Sequence, residues 1–115
     1  MNQLASPDLF FADTAAQAVF GETGPQPRFL LDSNAFKVLV AGLQPGQMIP
    51  VHPESAAVYH FLSGTGTMTV DGVTHVVQPG ATIITLNGAS RGMKAESQLI
   101  FLAAKSENVA QAEEE

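Results

Sequence analysis

Between residues 36 and 105, apolar side chains alternate with polar ones or gather in short blocks, and turn residues separate the blocks. "FKVLVAGL" (residues 36–43) is β-branched and apolar, and "QPGQ" then turns the chain. "MIPVH" reads as extended, and Pro50 and Pro53 suggest a sheet edge or a bulge, because proline cannot donate to a ladder. "AVYHFL" (57–62) is a strand. "TMTV" and "VTHVV" flank Asp71-Gly72, a strong hairpin signal. "ATIITL" (81–86) is a strand, "NGAS" a turn, and "SQLIFLAAK" a final strand. Short strands at this spacing predict an all-β sandwich or barrel. The first 30 residues are weakly patterned. "SPDLFFADTAAQAVF" has a helix-start signal at Ser6-Pro7-Asp8 and room for one helical turn or a short strand, and "GETGPQP" is loop. "ENVAQAEEE" predicts a frayed helix at the C-terminus.

Composition narrows the reading. The 115 residues fit one domain, with a core over about 28–105 and peripheral segments at 1–27 and 106–115. A hydrophobic content of 45% with 14% charged residues belongs to a globular chain. Without cysteine there is no disulfide framework, thiolate zinc site or cysteine nucleophile. A net charge of −6 argues against nucleic acid, whose phosphates it would repel. The acidic end "AEEE" reads as solvated. No apolar run reaches the roughly 20 residues of a membrane span, and no basic segment precedes an apolar one at the start. The expectation is a cytoplasmic protein without a membrane partner. There is no phosphate loop, GxSxG or HExxH, and "GTGTMTVDG" leads into a strand, so it presents no helix N-terminus to a phosphate.

Residues 46–95 resemble the cupin superfamily. Gly46 and His52 have the spacing of the first cupin motif, and Glu54 stands where its second histidine would be. "HFLSGTG" is similar to the segment that closes that motif, and "TVDGVTHVVQPGA" to the hairpin that follows it. Gly80, Leu86, Gly88, Arg91 and Ala95 fall on the five positions of the second motif, with arginine replacing its histidine. The motif's glutamate position falls on Ala57 or Tyr59, depending on which glycine sets the frame. The resemblance implies a small antiparallel β-barrel of jelly-roll type, pairing as a homodimer. In many members a divalent ion (Mn, Fe, Ni, Cu or Zn) sits inside it.

On such strands His52 and Glu54, two apart, project to the same side and could ligate a divalent ion. Tyr59 and Phe61 face the interior. His60 then points to the other face with Val58 and Leu62, and becomes a third ligand only if a bulge rotates it inward. Arg91 is a fixed cation that cannot ligate; it pairs with Glu54 or attracts an anion. His75 alternates in step with Val73 and Val77, as a histidine on an apolar strand face. Three functions are compatible. The leading one is a metal-free or weakly metal-binding barrel that holds a small molecule, an anion among the candidates, through His52, Glu54, Tyr59 and Arg91. The second is a metal-dependent dioxygenase, isomerase or decarboxylase using His52, Glu54 and His60. The third is a structural or regulatory dimer whose interior Tyr59 and Phe61 fill.

Overall fold

The computed structural model describes residues 8–107. A single 3-10 turn, Thr14–Gln17, follows Asp13, whose side chain accepts from Ala16 N. The rest is strand and loop. In chain order the strands are β1 (Val19–Phe20), β2 (Pro25–Gln26), β3 (Arg28–Asp32), β4 (Phe36–Leu43), β5 (Met48–Pro53) and β6 (Ala57–Ser63). They continue with β7 (Gly66–Val70), β8 (Val73–Val77), β9 (Thr82–Thr85), β10 (Ser90–Ala95) and β11 (Leu99–Ser106). A five-stranded sheet, β3-β4-β11-β6-β9, packs against a four-stranded sheet, β5-β10-β7-β8, with β1-β2 as a separate ribbon. All pairs are antiparallel. This is the jelly-roll architecture expected of the chain.

The alternation seen in the sequence sets the layers. On β4, Leu39, Ala41 and Leu43 point inward; on β6, Ala57, Tyr59 and Phe61; on β11, Leu99, Phe101 and Ala103. Together with Met68, Val77 and Met93 they form one core between the sheets. Phe61 is fully buried, which stabilises the fold by roughly 2–3 kcal/mol relative to an exposed ring. Its ring and that of Tyr59 each lie 5.9 Å from Phe101, in tilted pairs. Asp71 and Gly72 both take positive φ, 46° and 85°, as a two-residue hairpin turn requires.

Several elements depart from expectation. β10, a central strand, was not legible: "SRGMKA" carries glycine, arginine and lysine where a strand pattern wants apolar alternation. β3 was hidden in the weakly patterned start. Of the helix-start signal, Ser6 and Pro7 lie outside the described residues, and the only helical turn among those described comes later, at Thr14–Gln17. The expected C-terminal helix falls, apart from Glu107, outside them too. The reading of Pro50 and Pro53 fits on both counts. β5 is an edge strand, and its pairing with β10 slips: Arg91 pairs with His52 but Met93 with Ile49. Gly92 sits at the slip. A Cβ there would come within 2.8 Å of Val51 Cγ2 and 2.9 Å of Ile49 O, so only glycine fits the close approach of β5. The slip lets Ile49 and His52, three apart, both face the interior. Among the described residues no helix is long and apolar enough to cross a membrane.

Candidate functional site

A cavity of about 230 Å³ remains between the sheets. Much of its wall is apolar: Leu39, Ala41, Ile49, Met68, Met93 and Phe101, with Pro25 and Pro27 of the N-terminal segment. Its polar lining comes from His52, Glu54, Tyr59, Arg91 and Lys105. These five share one end of the barrel, because β5 ends there, β6 and β10 begin there, and β11 finishes there. The four residues selected from the sequence as ligand-binding, His52, Glu54, Tyr59 and Arg91, thus line one cavity. Lys105 was missed. Counting by twos from Phe101 through Ala103 would have placed it inside.

Glu54 is the hub of this end. Oε2 lies 3.0 Å from His52 Nε2, and Oε1 lies 3.0 Å from Lys105 Nζ. Burial pushes its carboxyl up, but the hydrogen bonds from Lys105 and His52 outweigh that, and it stands below its ordinary 4.5. The His52 ring bridges Glu54 and the Pro50 carbonyl, which lies 2.9 Å from Nδ1. Both of these partners are acceptors, so a neutral imidazole donates to one of them and only the imidazolium to both.

Arg91 does something other than expected. Its side chain is not free to clamp an anion. Only 2% exposed, it donates through Nε to Ala89 O at 3.0 Å and through Nη1 to Ser55 O at 2.7 Å. Nη2 donates to Ala89 O at 2.8 Å, Glu54 O at 2.9 Å and Leu86 O at 3.3 Å. A longer contact of 3.4 Å runs from Nη1 to the Tyr59 oxygen. The guanidinium has five N–H groups, and backbone carbonyls take nearly all of them. Nor does it pair with the Glu54 carboxylate; it binds the Glu54 carbonyl. Arg91 thus ties the β5–β6 loop to the β9–β10 turn.

His60 is not brought to His52 and Glu54. It lies on the outer face of β6, opposite to Tyr59 and Phe61, and its Nδ1 is 2.7 Å from Thr82 Oγ1. No bulge turns β6 at this point; the pairing with β9 runs in step from Ala57 to His60. Among the described residues, no three His, Cys, Asp or Glu side chains are grouped to hold a metal ion. The donor set does not fit a resident divalent ion: two candidate ligands remain, Glu54 already bridges two side chains, and an arginine holds the third motif position. His75 is exposed on β8.

The comparisons with known proteins agree with this fold. No curated protein matches the chain. Among solved structures, a cupin superfamily protein from Desulfitobacterium hafniense superposes with a TM-score of 0.79 at 13% identity, over 89% of this chain and 94% of that one. A conserved protein of unknown function from Streptococcus pyogenes gives 0.78 at 23% identity, over 91% and 93%. A Klebsiella pneumoniae protein with a double-stranded β-helix domain gives 0.77 at 20%, over 90% and 95%. At these identities the likeness is one of fold. The family profile of the cupin domain matches residues 39–104, from the middle of β4 to within two residues of the end of β11. The chain belongs to the cupin family.

Proposed function

We propose that the protein binds a small organic molecule inside the barrel and does so without a resident metal. The cavity carries this reading: about 230 Å³, with largely apolar walls and a polar end, in a barrel that Tyr59 and Phe61 do not fill. That space equals roughly eight water volumes, enough for a compact ligand. The donor set supports the metal-free part, since His60 belongs to the other face and Arg91 replaces a ligand. Native mass spectrometry of the untagged protein, with elemental analysis of the same sample, tests both parts. A stoichiometric organic ligand is expected. Stoichiometric Mn, Fe, Ni, Cu or Zn that is lost with His52→Ala would overturn the metal-free reading.

We also propose that two copies pair through the outer face of the five-stranded sheet. Val58 and Ile84 are paired neighbours on that face and are 41% and 68% exposed. Sedimentation velocity is expected to show a dimer that Ile84→Lys weakens; a monomer at every concentration would reject it.

A further inference from the structure

The polar end of the cavity holds donors that the protein itself does not use. Tyr59 is only 7% exposed. Its oxygen receives the long contact from Arg91, and its own O–H meets no acceptor among the described residues. Lys105 spends one N–H on Glu54, and its other two likewise meet no acceptor among those residues. Lys105 pairs with Ala57 and Ala103 with Tyr59 across β11 and β6, so Tyr59 and Lys105 are diagonal neighbours on one inner face. At that spacing long side chains reach a common point.

Charge favours the same point. The protein carries −6 overall, yet its cavity is lined by two basic side chains, Arg91 and Lys105, against the single carboxylate of Glu54. Glu54 would repel an anion if bare, but each of its oxygens already faces a donor side chain. Arg91 contributes field without contact, because carbonyls hold its N–H groups. Contact is left to Tyr59 and Lys105. Beyond them the walls are Met68, Met93, Phe101 and Ile49, which offer an anion nothing but suit a hydrocarbon body.

We propose that the cavity takes a small monocarboxylate with an apolar body, its carboxylate accepting from Tyr59 O–H and Lys105 N–H. This rests on the barrel interior being the ligand site. Buried carboxylates need paired charge and hydrogen bonds, and these two groups supply both.

Methyl NMR of the full chain, labelled at methionine, tests the inference. Met68 and Met93 line the cavity, whereas Met48 lies outside it, 55% exposed, and serves as the control. Benzoate and isovalerate are titrated beside benzamide and isovaleramide, which keep the shape and lose the charge. The carboxylates are expected to shift Met68 and Met93 but not Met48, and to bind about tenfold or more tightly than the amides. Tyr59→Phe and Lys105→Gln should each weaken carboxylate binding by about tenfold, with Lys105→Arg retaining more than Lys105→Gln. Amides that match the carboxylates, or variants that bind carboxylates like wild type, overturn the carboxylate inference and leave the interior site standing. Shifts absent at Met68 and Met93 for all four compounds would remove the interior reading itself. Should either variant fail to fold, the comparison of acid with amide on the wild-type chain decides alone.

Discussion

Replacing Arg91 with methionine separates a loop tie from a ligand clamp. A clamp that waits for an anion adds little to the empty protein, so its loss would be nearly silent without ligand. A tie that holds carbonyls is felt at once. Its acceptors are the carbonyls of Ser55, Glu54, Leu86 and Ala89. Ser55 is 3% exposed, so its carbonyl would be stranded, at about 1–3 kcal/mol. Leu86 is 75% exposed, and water can replace the guanidinium there at little cost. Glu54 and Ala89 are half-buried and fall between. Summing every charged hydrogen bond would overshoot, because burying the guanidinium already costs desolvation. A net loss of about 3 kcal/mol follows, a large part of the roughly 5–15 kcal/mol that holds a domain folded. At a chain of this size it lowers Tm by about 12 °C. Urea unfolding of ligand-free protein measures it, with the m-value unchanged if the native state stays compact. Arg91→Lys keeps the charge but not the fork, and should recover less than half of the loss. If both variants stay within about 0.5 kcal/mol of wild type, Arg91 does not hold these loops and the reasoning fails.

Two further predictions follow from single positions. Gly64 has φ of +80°, and a Cβ there would run into the backbone carbonyl of Gln98, so Gly64→Ala should cost about 2 kcal/mol or more in urea unfolding; a neutral result would contradict the close approach of this turn to the segment before β11. Glu54 holds its proton less tightly folded than unfolded, so its contribution is complete above its ordinary 4.5 and is lost as pH falls through the lower folded value. The stability difference between wild type and Glu54→Gln should thus shrink as pH falls below about 4.5, and a difference that grows there would reverse the sign argued here.

Much of the barrel could be read from the chain because its strands bury one face. Where alternation is intact, as from Phe36 to Leu43 or from Ala57 to Phe61, side-chain direction follows from counting by twos. β10 escaped for a physical reason. Besides the carbonyls of the adjacent turn, its inward charge, Arg91, takes those of Ser55 and Glu54 from a loop 36 and 37 residues away, and its Gly92 is required by a neighbouring strand. Neither partner is visible locally. The candidate site divides in the same way. The family positions bring His52, Glu54, Tyr59 and Arg91 together, but what Arg91 binds depends on where two loops end, and residue type alone suggested an anion. Lys105 lay in plain alternation at the end of an apolar strand, where a lysine looks like the strand leaving the core.

The slip in β5 has a consequence for how relatives of this chain are compared. Three steps along β5, from Ile49 to His52, are matched by two along β10. A relative with one residue fewer at Pro50 or Val51 would have a regular strand and could fill the same space with the same fold. Aligned without a gap, its columns would set inward side chains against outward ones over half the strand. Whether such a relative keeps a cavity histidine is then a question of strand length before it is one of residue identity.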